Sequence, residues 1–310
     1  MNLPVRKVLC LALLALLWAF PPVLAQEKSE GGVAVADSVG SDQGLLWKIS
    51  SSTGTVYLFG SIHLATAEMY PLPEKVEAAF AGAEQLVVEV NAGPEKQAEL
   101  GQMMMAKGSY PPEESLTDHI SDEIQGQLTR YLEGAGMPAA AFNRFEPWLV
   151  ALTVSVLELQ KLGLDPTLGI EQHFLAKAKD SKPVLELETA EDQVSLFDDL
   201  AVELQQLMLK KTLLEIDRIA EEMDEMIDAW SRGDTTAMEA LMYKSLGEAP
   251  ELAPLFKKLF TDRNLTMADK IAGFLGTDSS YFVLVGAGHL VGDDGIVELL
   301  KAREFSVERQ

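Results

Sequence analysis

The hydrophobic pattern changes period twice along this chain. From Leu45 the apolar residues come in short aromatic and β-branched runs. Leu45-Leu46-Trp47-Lys48-Ile49 is followed, after turn chemistry at residues 50–54, by Thr55-Val56-Tyr57-Leu58-Phe59-Gly60. These predict two strands joined as a hairpin. Pro73 suits the start of a helix over Glu74 to Gly82, because proline is tolerated in a first helical turn. Residues 85–90 then read as a buried strand. Strand, helix and strand within about 40 residues predict a βαβ unit.

In the middle the period becomes that of a helix. Residues 121–134, 146–163, 168–179, 190–232, 234–244 and 251–260 show mainly helical spacing. The run at 190–232 reads as one long helix or two. A short strand at 183–187 interrupts the series. The end returns to sheet. Tyr281-Phe282-Val283-Leu284-Val285-Gly286 is a buried strand, Asp293 or Asp294 can cap a helix running to Ala302, and residues 305–308 make a last strand. The expected fold is therefore α/β (α+β), with a central mixed sheet from N- and C-terminal segments and a large helical insert or cap. No tandem repeat of fixed period is visible.

The first residues are a separate matter. Arg6 and Lys7 precede an apolar run from Val8 to Phe20, and Val23-Leu24-Ala25 ends it. This is the three-part pattern of a secretory signal peptide over residues 1–25, cleaved after Ala25. Residues 26–44, rich in Gly, Ser, Ala and charge, read as a flexible linker. The domain is expected over residues 45–310. The expected product is exported, periplasmic or secreted, with no membrane span after cleavage.

Charge and cysteine narrow the chemistry. The net charge is −23, and losing Arg6 and Lys7 makes it more negative. Such a surface repels nucleic acid and anionic membranes. The one cysteine, Cys10, lies in the leader, so the mature chain has neither disulfide nor thiolate chemistry.

Two segments stand out for function. Gly60-Ser61-Ile62-His63 and Gly286-Ala287-Gly288-His289 each follow a buried strand directly. Each histidine then stands just beyond the carboxyl end of its strand, the edge where ligands bind in open α/β sheets. Glu89 lies near the end of a third strand. Two neutral imidazoles and a carboxylate are a ligand set for a catalytic divalent metal, which would acidify its water and polarise a carbonyl. Without a metal, one histidine would be the general base on water, with Glu89 orienting it. Ser61 is too near His63 in sequence to argue a Ser-His pair.

Arg263 and Asn264 follow Thr261 and Asp262, either of which could cap a new helix. A helix N-terminus beside a guanidinium would suit an anionic group or an oxyanion. Glu186 and Glu188 flank the end of the short strand and could face the same cleft or the polar side of an edge strand. His119 and His173 read as surface or packing residues, and Met103 to Met105 as packing.

Taken together these motifs resemble the TraB/GumN family, which includes the Tiki and PrgY proteins, within the erythromycin esterase/ChaN-like superfamily. The resemblance rests on Leu46-Trp47-Lys48-Ile49, Tyr57-Leu58-Phe59-Gly60-Ser61-Ile62-His63, Glu89, Arg263-Asn264 with Met267, and Gly286-Ala287-Gly288-His289. Gly169-Ile170-Glu171, Leu187-Glu188-Thr189 and Gln193 add to it, although the family more often has Asp where this chain has Glu171. The resemblance implies a metal-dependent hydrolase, a peptidase, with His63, Glu89 and His289 holding manganese or cobalt rather than zinc. Arg263 and Asn264 would position substrate or stabilise charge, and Glu171 and Glu188 would meet a peptide or small-molecule substrate. The superfamily also contains esterases thought to work through a histidine without metal. A metal-independent esterase or amidase, and a non-catalytic peptide- or ligand-binding protein, are therefore the alternatives.

Overall fold

The computed structural model describes residues 44–310. The leader and all of the linker but Gly44 lie outside the described residues. A six-stranded sheet runs in the order β4-β3-β5-β2-β1-β6. Its strands are β1 (Leu46–Ser50), β2 (Thr55–Ser61), β3 (Gln85–Val88), β4 (Val184–Glu186), β5 (Ser280–Gly286) and β6 (Ser306–Arg309). β1 and β2 form the expected antiparallel hairpin, with Leu46 opposite Phe59. β6 closes the edge antiparallel to β1. The sheet is thus mixed and built mainly from both ends of the chain, as the pattern predicts, with β4 from the middle segment added beside β3 at one edge.

The predicted βαβ unit is present, but its two strands do not touch. β5 inserts between them, parallel to both β2 and β3. The reason lies in composition. Phe282, Val283, Leu284 and Val285 have no exposure at all, and a strand apolar on both faces belongs at the centre of a parallel sheet.

The helices are α1 (Glu74–Gly82), α2 (Pro94–Lys107), α3 (Asp122–Gly134), α4 (Pro147–Lys161), α5 (Ile170–Ala178), α6 (Ala190–Asp198), α7 (Val202–Glu215), α8 (Ile219–Ser231), α9 (Thr235–Glu248), α10 (Ala253–Phe256), α11 (Asp262–Leu275) and α12 (Ile296–Ala302). The periodic run at 190–232 is three helices rather than one or two. α6 begins at a capping box made by Thr189 and Asp192. A 3-10 turn at Ile216–Arg218 separates α7 from α8. α12 starts after Gly295, not after Asp293 or Asp294. Gly295 is the extended residue at the cap, and a Cβ there would lie 2.7 Å from the Val291 carbonyl oxygen. No helix among the described residues is long and apolar enough to cross a membrane.

The insert is fastened to the sheet where the site begins. Trp230 of α8 donates its indole N–H to the Gly60 carbonyl at 2.8 Å, and its ring lies 6.2 Å from that of Phe59. Four parallel strands, β4, β3, β5 and β2, bring their carboxyl ends to one edge. Ser61 sits opposite Gly286 there.

Candidate active site

His63, Glu89 and His289 meet at that edge, and Gly286 explains how. A Cβ on Gly286 would lie 3.2 Å from His63 Nε2, 3.4 Å from Glu89 Oε1 and 3.6 Å from His289 Cδ2. Three side chains from just beyond the ends of β2, β3 and β5 thus converge on the space beside Gly286. All three are buried. Glu89 Oε1 accepts the Gly286 N–H at 2.6 Å, which ties β3 to β5 beyond their last ladder pair.

The hydrogen bonds of His289 define its tautomer. Asn264 Nδ2 donates to the Asp294 carbonyl at 2.8 Å, so Asn264 Oδ1 faces His289 Nδ1, 2.6 Å away. Nδ1 must carry the proton. Nε2 then accepts from Arg263 Nη1 at 3.0 Å. Burial, the Arg263 charge and His63 hold the His289 pKa well below the usual imidazole value, so this ring is neutral.

Arg263 is the centre of the polar cluster. Nε donates to Glu188 Oε1 at 2.8 Å and Nη2 to Glu188 Oε2 at 2.7 Å. Nη2 also donates to Glu89 Oε2 at 2.6 Å, and Nη1 to the Leu259 carbonyl at 3.0 Å. With His289, these contacts engage all five guanidinium N–H groups. Gln193 Nε2 adds a bond to Glu188 at 3.1 Å. Burial pushes the Glu89 carboxyl above the usual carboxylate range, against the pull of Arg263 and His63.

Arg263 and Asn264 do not lie at a helix N-terminus, as the sequence suggests. Thr261 is itself helical, and residues 253–275 continue through a π turn at Lys257–Thr261. Such turns change which residues share a face. Here Phe260, Arg263 and Asn264 all look inward to His289. No row of free helix N–H groups is left there for an anion.

Glu171 and Glu188 point at protein groups rather than into open space for a substrate. Glu188 pairs with Arg263. Glu171 Oε1 lies 2.8 Å from His63 Nδ1 and accepts the Ser61 hydroxyl proton. Burial disfavours the His63 imidazolium, but Glu171, with Glu89 behind it, outweighs that and raises the His63 pKa above its ordinary value. His63 and Ser61 in turn overcome burial to hold Glu171 below the usual carboxylate range. Ser61 gives its proton to Glu171 and not to His63, so it is not an activated nucleophile in this arrangement.

The sequence reading misses this His63–Glu171 pair. Its signal was Gly169. The Gly169 backbone passes so close to His63 that a Cβ would clash with the His63 carbonyl oxygen, and Ile170 N–H donates to the Ile62 carbonyl. That approach delivers Glu171 to the imidazole. Gly169→Ala should lower the unfolding free energy by about 1–3 kcal/mol or more through overpacking, measurable by urea denaturation. A stability equal to wild type would contradict the close approach.

His119, His173 and Glu186 lie elsewhere. His119 stacks on Tyr110 and contacts Glu114. His173 contacts Glu77 and packs on Tyr70. Glu186 binds Lys96 and the Asn91 N–H.

The donors expected for a metal do not fit one as they stand. His289 Nε2 already accepts from Arg263, and Glu89 is bound to the same guanidinium. A divalent ion among them would sit against a fixed positive charge. Consistent with this, no group of three or more His, Cys, Asp or Glu side chains among the described residues is arranged to hold a metal ion.

A mixed sheet with a helical insert, and two Gly-x-x-His elements meeting a glutamate and an arginine at its edge, define an α/β protein with an enzyme-like polar centre. The chain belongs to the TraB/PrgY/gumN family, whose sequence profile matches residues 45–309. It is 27% identical to the uncharacterized protein YbaP of Escherichia coli over 246 residues, 79% of this chain and 87% of that one. It is 22% identical to a metalloprotease TIKI homolog of Amphimedon queenslandica, across 85% of this chain and 61% of the relative. A protein of Treponema pallidum is 19% identical across 88% of this chain. No solved structure gives a significant match. The family and the distant metalloprotease-named relative point to hydrolases.

Proposed function

We propose that this protein hydrolyses an acyl bond, an amide or ester of a peptide or small molecule, with His63 as general base on water and Glu171 as its partner. One observation carries the reading. Glu171 sits against His63 Nδ1, while His63 Nε2 faces the converging space beside Gly286. A cavity of about 40 Å³ opens there, lined by Ser61, His63, Gly286 and His289 among others. That is room for a water or two.

His63 Nε2 takes a proton from water as the water oxygen attacks the acyl carbon. The imidazolium returns that proton to the leaving nitrogen or oxygen as its bond to carbon breaks, giving an acid and an amine or alcohol. The Glu171 carboxylate stabilises the transient imidazolium. Arg263 holds Glu89 and His289 in place and fixes the positive field behind the site.

The test is hydrolysis of peptide amides and acyl esters by the purified protein with and without chelator. Turnover that survives chelation is expected. Activity should rise with pH along a limb above the ordinary imidazole pKa of about 6.5, because His63 must be neutral to accept a proton and its pKa is raised. A limb at or below that value counts against His63 as the base.

Metal-dependent peptide hydrolysis is the second reading, supported by the name of the sponge relative. It requires that chelation abolish turnover and that manganese or cobalt restore it. We also propose that the protein acts outside the cytoplasm, as the pattern of residues 1–25 suggests. N-terminal sequencing of the fractionated protein, expected to begin at Gln26, tests it.

A further inference from the structure

The cavity beside His63 has a wall that the proposed reaction does not explain. Opposite the sheet edge stand Met223 and Met226 of α8, Met238 and Met242 of α9, and Phe260 of the π turn. Four of the twelve methionines in the whole sequence line this one space. The spacings 223/226 and 238/242 put each pair on one helix face. All four are buried, at 1–7% exposure. Among the described residues no lysine, arginine or carboxylate lines the cavity, and the polar residues there are Ser61 and the two histidines. The Ser61 hydroxyl is engaged by Glu171 and the His289 ring by Asn264 and Arg263.

We infer that this methionine-lined pocket binds an apolar side chain or acyl chain of the substrate, adjacent to the bond that His63 attacks. The inference rests on the hydrolase reading and adds a substrate class to it. With His63 neutral, as the reaction requires, a charged group entering the pocket would lose its hydration without a counter-charge, which is strongly unfavourable. Thioether side chains have several rotatable bonds and reshape around apolar groups. A pocket of only about 40 Å³ at rest can therefore enlarge to take an aliphatic chain. The strongly negative surface would by itself favour basic substrates, so the pocket and the overall charge make opposite predictions. Met242 also presses on the sheet edge, its Sδ lying 3.2 Å from where a Gly288 Cβ would be. The wall thus reaches the second Gly-x-x-His element directly.

The experiment is a profile of kcat/KM over acyl-peptide substrates that differ only at the residue donating the scissile carbonyl: alanine, norleucine, phenylalanine, aspartate and lysine. Norleucine should exceed aspartate and lysine by at least about 10-fold, within the range that apolar pockets provide. Met226→Lys should lower the norleucine rate and raise the aspartate rate relative to it by about 10-fold or more. Met226→Gln, a milder change, should narrow the norleucine preference. A preference for lysine, a flat profile, or variants that slow every substrate equally would overturn the pocket assignment. Should no substrate turn over, the hydrolase reading fails on its own. NMR-monitored binding of the same peptides to wild-type and Met226→Gln protein then decides the pocket. Selective binding of the norleucine peptide, weakened in the variant, upholds it, and equal or absent binding rejects it.

Discussion

Arg263→Met should lower the unfolding free energy by about 3–5 kcal/mol, the usual consequence of stranding buried charges by removing one partner. Arg263 is buried and donates to Glu89, Glu188, His289 and the Leu259 carbonyl. Methionine fills much of the volume but supplies no donor. Glu89 and Glu188 would remain in the interior with Gln193 and the Gly286 N–H as their neighbours. The deficit should shrink as the pH falls, because burial already raises the Glu89 pKa and its protonation removes a stranded charge. The double change Glu89→Gln with Glu188→Gln in the Arg263→Met background should recover part of the loss for the same reason. Urea denaturation across pH measures both effects. A loss below about 1 kcal/mol would mean that the cluster is not closed as described.

The second large effect is on turnover. His63→Ala should reduce kcat/KM by about 10²–10⁴-fold, the usual contribution of a positioned general base. Glu171→Gln should cost less and have a distinct signature. The glutamine keeps a hydrogen bond to His63 but removes the charge that raises the imidazole pKa. Burial then dominates, the pKa falls, and the rising limb of the pH profile moves to lower pH. A merely structural role for Glu171 would reduce activity without moving the limb. The two variants together separate a base from its positioning partner.

Metal dependence turns on the same arginine. In a site built around a divalent ion, the imidazole and carboxylate lone pairs point at one centre. Here the lone pair of His289 and one carboxylate oxygen of Glu89 point at a guanidinium. Calorimetric titration with manganese or cobalt gives a direct answer. Weak or no binding by wild type is expected, and binding that disappears in His63→Ala and His289→Ala would reverse the assignment.

Much of the molecule is readable without coordinates, because its signals are local. The β1–β2 hairpin shows in two β-branched runs around a turn. The strand-end positions of His63 and His289 show in glycines that follow apolar runs of strand length. Glu89 is visible for the same reason. Arg263, Asn264 and Glu188 stand out beside a candidate cap and a strand end, and the family motifs add Glu171, although none of these signals shows what they touch. Helix boundaries inside 190–232 and the continuity of residues 253–275 escape the pattern. A 3-10 or π turn keeps a nearly helical spacing of apolar residues, so periodicity cannot distinguish it from a break or from unbroken helix.

The sequence by itself determined the elements of the sheet, the placement of two histidines and a glutamate at strand ends, and the helical character of the middle. Only the tertiary structure decided which groups pair. Glu171 comes to His63 because Gly169 lets α5 approach the β2 end. Arg263 reaches Glu89, Glu188 and His289 because a π turn faces it inward. The methionines of α8 and α9 meet the histidines because the insert folds back over the sheet edge. Those contacts join residues roughly 25 to 175 positions apart along the chain, and they depend on packing at a scale that no local propensity encodes.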